Sequence, residues 1–154
     1  MDLKFKVSAH ISRPVEQVFE AVADPVSLSR YFTTGGAKGR LETGATVTWD
    51  FHDFPGAFPV EVVDVVPNEK IVLKWDAYDE DAKANAGYKT TVTMVFKPVD
   101  DNRRTLVEIS EHGWHETEAG LKSSYGNCMG WSQMLAALKM WVEHGINLRE
   151  GMYK

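Results

Sequence analysis

One cysteine, Cys128, is the only thiol in this chain of 154 residues, so no disulfide can close within it. It falls on the apolar stripe of a helical pattern and reads as a small buried hydrophobe. Long apolar runs are missing too. None approaches the ~20 residues of a membrane-spanning helix, and the start, Met1-Asp2-Leu3-Lys4-Phe5, lacks the basic-then-apolar order of a signal peptide. A cytoplasmic protein is expected. Basic blocks are absent: 17 Lys and Arg are scattered among 22 Asp and Glu for a net charge of -5, which excludes the local basic stripe that nucleic acid or an anionic membrane would require. With no repeat, low-complexity tract or linker, a single domain over 1–154 is expected, long enough to bury roughly 70% of the unfolded surface. The chain also lacks a Gly-rich phosphate loop, a nucleophile elbow and a Cys-x-x-Cys pair. No catalytic constellation is recognisable and no cofactor is implied.

What the chain does have is a strong helical signal at 117–145. Leu121, Tyr125, Cys128, Trp131, Leu135, Leu138 and Val142 recur at steps of three and four, and Met134 and Trp141 widen the stripe. Such a stripe must be covered, and most of what precedes it reads as strands. Phe5, Val7, Ala9 and Ile11 alternate with polar residues as a half-buried first strand does. Pro14 and Glu16 open a short helix with Val15, Val18, Phe19 and Val22 on one face, and Asp24-Pro25 interrupts it before a further turn or two at Leu28, Tyr31 and Phe32. After Gly35, Gly36 and Gly39 the period becomes two, through Val47, Trp49 and Phe51, then 60–66, then Ile71, Leu73 and Trp75, then 90–97 and 105–112. Turns are predicted at Pro55-Gly56, Pro67-Asn68-Glu69 and Asp100-Asp101-Asn102. The polar run 79–87 reads as a mobile loop. The order is α+β: a strand, two short helices, a meander of about six strands and one long helix.

A long helix on a bent sheet can enclose a pocket, and Trp49, Phe51, Phe58, Trp75, Trp114 and Trp131 are the candidate walls, since aromatics suit flat ligands. The same residues also suit an ordinary packed core. Gly126 and Gly130, one turn apart in the long helix, each cost up to ~1 kcal/mol relative to alanine. Either the helix backbone approaches the sheet there, or a ligand or the loop carrying Trp114 takes the space. Asn127, between them, can present an amide to a ligand. The run Glu111-His112-Gly113-Trp114-His115-Glu116 places two histidines too close together, with no third ligand near, to predict a metal site. His112 is instead a candidate hydrogen-bonding group at the pocket mouth. Glu61, Glu108 and His10 could act as acid or base only if they point inward, and alternation with Val60, Val62, Val107 and Ile109 turns both glutamates outward. Residues 52–59, with Phe54 and Phe58, are expected as a loop near the entrance.

Three stretches carry a family resemblance: Ile11-Ser12-Arg13-Pro14-Val15-Glu16-Gln17-Val18-Phe19 with 28–32 after it; Val62-Val63-Asp64-Val65-Val66-Pro67-Asn68-Glu69-Lys70-Ile71 leading to Trp75; and Gly130-Trp131 with Leu135, Leu138 and Glu143-His144-Gly145. The chain resembles the START-like helix-grip superfamily and, within it, proteins named for the activator of the heat-shock-protein-90 ATPase. That resemblance implies a curved antiparallel sheet of six or seven strands wrapped on the C-terminal helix. It leaves three functions open: a binder of a small apolar or aromatic molecule, a partner-binding module acting on a chaperone, or a cofactor-free, cyclase-like enzyme. The eukaryotic co-chaperone also uses a separate amino-terminal domain with no counterpart among these residues. A monomer or weak homodimer is expected.

Overall fold

The computed structural model describes residues 1–84 and 87–154. In chain order the elements are β1 (Lys4–Ile11), α1 (Val15–Ala23), α2 (Pro25–Leu28), β2 (Gly36–Lys38), β3 (Thr46–Phe51), β4 (Phe54–Val66), β5 (Lys70–Asp76), α3 (Glu80–Ala84), β6 (Lys89–Val99), β7 (Arg104–His112) and α4 (Glu118–His144). The seven strands form one antiparallel curved sheet in the order β1-β7-β6-β5-β4-β3-β2. Alternate strand residues, among them Val47, Val60, Ile71, Leu73, Val92, Met94, Val107 and Ile109, are buried in one core with Trp131, Met134, Leu135 and Leu138 of α4. Register shifts between Trp49 and Phe51 and between Val62 and Asp64 bend the sheet.

Helix ends follow their local chemistry. Thr117 caps α4 by accepting from the Gly120 N–H at 3.1 Å, and Gly145 ends it in the left-handed region at φ 68°. Asp24 accepts from the N–H groups of Val26 and Ser27 to start α2. Pro14 offers no side-chain cap for α1, so the Val15 N–H donates to Asn102 Oδ1, 2.9 Å away on the β6–β7 turn. Three successive residues of that turn, Asp100, Asp101 and Asn102, have positive φ. The far end of α4 is tied to the segment that follows β1 through Glu143, which accepts from the Ser12 N–H and from Lys139, while Arg13 donates to the Glu143 carbonyl. These contacts give the Glu143 motif a structural reason.

Three sequence expectations are corrected. The β3–β4 turn lies at His52-Asp53, and Pro55-Gly56 falls inside β4. The pairing of β5 with β4 begins only at Glu61, so the missing Pro55 N–H interrupts no ladder on that side. The 79–87 run is not simply a loop: α3 occupies part of it, and the buried Asp79 accepts from the Ala82 N–H and the Tyr88 hydroxyl. Asn85 and Ala86 of that run lie outside the described residues. On α4, Leu121 and Tyr125 are exposed and Cys128 is half-buried; the inward line runs through Gly120, Ser124 and Trp131 instead. That shift turns a small and polar face toward one end of the sheet.

Candidate functional site

At that end the inward positions of the sheet change character. Thr105, Val107, Ile109 and Glu111 share one phase of β7 and all are buried, so the strand pattern carries a carboxylate into the interior. Glu111 is fully buried. Its Oε2 accepts from Trp75 Nε1 at 2.9 Å and Thr90 Oγ1 at 2.6 Å, and its Oε1 accepts from Trp131 Nε1 at 2.9 Å. Asn127 Nδ2 reaches both oxygens, at 3.2 and 3.1 Å. One carboxylate thus ties three strands to α4. Burial pushes its carboxyl above the ordinary value, and the four donors oppose that rise without cancelling it.

Three of those donors, Trp75, Asn127 and Trp131, also line a surface hollow. It measures about 330 Å³ and is completed by Phe32, Phe51, Phe54, Gly126, Met129, Gly130, Arg149 and Tyr153. A second depression of about 790 Å³ shares Phe51, Phe54, Trp75 and Asn127 with it and adds Pro55, Gly56, Phe58, Asp76 and Tyr78. Both volumes fall in the range of small-molecule sites, roughly 300–1,000 Å³. Trp131 lies 5.4 Å from both Trp75 and Phe32, centroid to centroid, and Phe51 stacks on Phe58 at 5.8 Å. The walls are thus a continuous run of rings.

Gly126 and Gly130 shape this space by what they omit. A Cβ at either would meet nothing within 4 Å, which overturns the expectation of a close backbone approach. The close approach is at Gly120, where a Cβ would sit 1.9 Å from the His115 carbonyl oxygen.

The tail after α4 closes the other side. Arg149 Nη2 donates to Asp53 Oδ1 at 2.9 Å, both side chains being almost wholly buried, and its guanidinium lies 4.6 Å from the Phe51 ring centre and 4.7 Å from that of Tyr153. Tyr153 in turn donates to Gln133 of α4 at 2.6 Å. Arg149 Nε and Asp53 Oδ2 are buried without a hydrogen-bond partner among the described residues.

Of the residues expected to form the site, Phe51, Phe58, Trp75, Asn127 and Trp131 come together. Trp49 lies behind them in the core, edge-on to Trp75 at 6.0 Å and Phe32 at 5.7 Å. Trp114 is buried elsewhere, against Phe5 at 5.6 Å. His112 is exposed beside Lys4 and Lys6, at a separate depression. His115 stacks on Tyr88, whose phenol is pushed up to about 12 by burial and by Asp79. Glu108 faces outward between Lys6 and Lys97, and Glu61 and His10 are exposed. No cluster of three metal-ligating side chains occurs among the described residues, nor any helix long and apolar enough to cross a membrane. Sequence reasoning did not place Phe32, Glu111, Arg149 or Tyr153 in the site. Only Glu111 had left a signal, its phase with Val107 and Ile109.

A curved antiparallel sheet gripping a long C-terminal helix is the helix-grip architecture of START-like proteins. Residues 12–143 match the family described as activator of Hsp90 ATPase homolog 1-like protein, and the chain belongs to that family. No curated protein matches it. Among similar solved structures is a Staphylococcus saprophyticus protein, 26% identical, with 97% of this chain and 96% of that chain covered and a TM-score of 0.75. The solution structure of the Aha1 dimer from Colwellia psychrerythraea is 20% identical over 92% of this chain and 97% of that one, TM-score 0.72. DynU16, from the dynemicin biosynthetic locus, is 22% identical over 94% of this chain, TM-score 0.76. This chain spans about half of DynU16, covering 49% of it. The last two likenesses bear on the fold alone.

Proposed function

We propose that this protein binds a small apolar or aromatic molecule in the hollow between α4, the β3–β4 hairpin and the C-terminal tail. The observation that carries this reading is the pairing of Trp75, Asn127 and Trp131: each lines the hollow and each is fixed from behind by Glu111. Tryptophans held by a buried acceptor form a preorganised surface, which spares a ligand the cost of ordering it. Gly126 and Gly130 support the reading, since both line the hollow and a side chain at either would project into it without meeting a neighbour. An enzyme reading has less support. Glu111 and Asp53 are buried carboxylates beside the hollow, but neither lines it: both oxygens of Glu111 are already engaged, and Asp53 is paired with Arg149. A partner-binding role draws support from Leu121, Tyr125 and Met129, an exposed apolar row on α4.

Native mass spectrometry of the protein purified from its own cell, joined to melting with and without an anilinonaphthalene sulfonate dye, tests the binding reading. A discrete added mass, or saturable dye binding that raises the melting temperature, is the expected result. Dye uptake only by partly unfolded protein would remove the proposal.

A further inference from the structure

The polar groups around the hollow restrict what it can hold. Glu111 engages the amide nitrogen of Asn127 through both carboxylate oxygens, so the amide is held with its nitrogen toward the strand. Its carbonyl oxygen, Oδ1, is the end left for a guest and accepts from no described residue. On the tail side, the Arg149 side chain is more than nine-tenths buried, donates from Nη2 to Asp53 and lies against the Tyr153 phenol, and its Nε has no partner among the described residues. A buried guanidinium with unused donors requires an acceptor. Asp53 already balances its charge, so a carboxylate guest would add a second anion beside Asp53 in a low-dielectric wall.

We infer that the guest is a flat, uncharged aromatic molecule that gives a hydrogen-bond donor to Asn127 Oδ1 and a carbonyl-type acceptor to Arg149, as a hydroxyaryl ketone does. The inference rests on the binding reading above and specifies its ligand class. Aromatic walls on Phe51, Trp75 and Trp131 take the ring, and the two polar residues select its substituents.

A naphthalene series titrated into the full chain by tryptophan fluorescence tests this: ethylnaphthalene, naphthol, acetylnaphthalene, hydroxynaphthyl methyl ketone and hydroxynaphthoate. The hydroxy ketone should bind roughly tenfold or more tighter than ethylnaphthalene, as two added hydrogen bonds allow, and tighter than hydroxynaphthoate. Asn127→Leu should erase the advantage of the hydroxyl alone. Arg149→Met combined with Asp53→Asn, which leaves no unpaired buried carboxylate, should erase that of the acetyl group alone. The wild-type series decides even if a variant does not fold. Equal affinity for ethylnaphthalene and the hydroxy ketone would overturn the inference and leave the binding reading standing. Tightest binding of hydroxynaphthoate would overturn the uncharged class, and no binding by any member would overturn both readings.

Discussion

Trp131 donates its indole N–H to Glu111 at 2.9 Å across 20 residues of chain, joining the middle of α4 to the inward face of β7. Trp75 reaches the same carboxylate from β5 at 2.9 Å. Two hollow-lining rings are thereby set by one buried acceptor, and loss of that acceptor is felt both in the core and at the surface.

Replacing Glu111 by alanine strands two indole N–H groups and the Thr90 hydroxyl in the interior. Each unmet donor costs about 1–3 kcal/mol, so Glu111→Ala should lose roughly 3 kcal/mol or more in denaturant unfolding. Unchanged stability would mean that these hydrogen bonds do not form.

Acid titration gives this residue a distinct signature. Burial holds the Glu111 carboxyl above its ordinary value of 4.5, so this group binds a proton more readily in the folded chain than in the unfolded one. Its contribution is therefore full below the unfolded-state value and falls as pH rises through the higher folded-state one. Glu111→Gln cannot titrate, and its amide can accept from the two indoles at only one atom. The stability gap between wild type and Glu111→Gln should narrow as pH rises from the ordinary carboxylate value, then level off. A gap that widens with pH would contradict the raised carboxyl.

Much of this arrangement was legible in the sequence, and the failures have physical causes. The limits of α4 followed from Thr117 and Gly145 because capping is local. Glu111 could have been found by continuing the alternation of Val107 and Ile109, but its neighbours His112 and His115 drew it into a metal-like run. Arg149 and Tyr153 follow α4 with no periodic pattern, and only tertiary contacts with Asp53 and Gln133 bring them to the hollow. Pro55-Gly56 was read as a turn from local propensity, whereas the turn is set by His52-Asp53, where Asp53 meets Arg149.

Gly130 and Gly120 predict opposite outcomes within one helix. Gly130→Leu has space for its side chain and should leave stability unchanged or raise it by up to ~1 kcal/mol, while abolishing dye binding by filling the hollow. Gly120→Ala meets the His115 carbonyl and should destabilise the fold. Thermal melts of the two variants, with and without dye, check both statements.

Breaking the buried pair should be costly from either side. Arg149→Ala leaves Asp53 buried without its cation, and a loss of about 3–5 kcal/mol is expected. A double-mutant cycle with Asp53→Asn should recover part of that loss, and strict additivity would show that the two groups do not interact.

An aromatic guest held against Trp75 and Trp131 is detected in one titration through the indole N–H resonances of the five tryptophans. With acetylnaphthalene added to nitrogen-15-labelled protein, the Trp75 and Trp131 signals should shift and saturate together, while Trp114, packed against Phe5, stays in place. Saturable shifts confined to Trp114, or no saturable shift at all, would mean that no guest is held against Trp75 and Trp131.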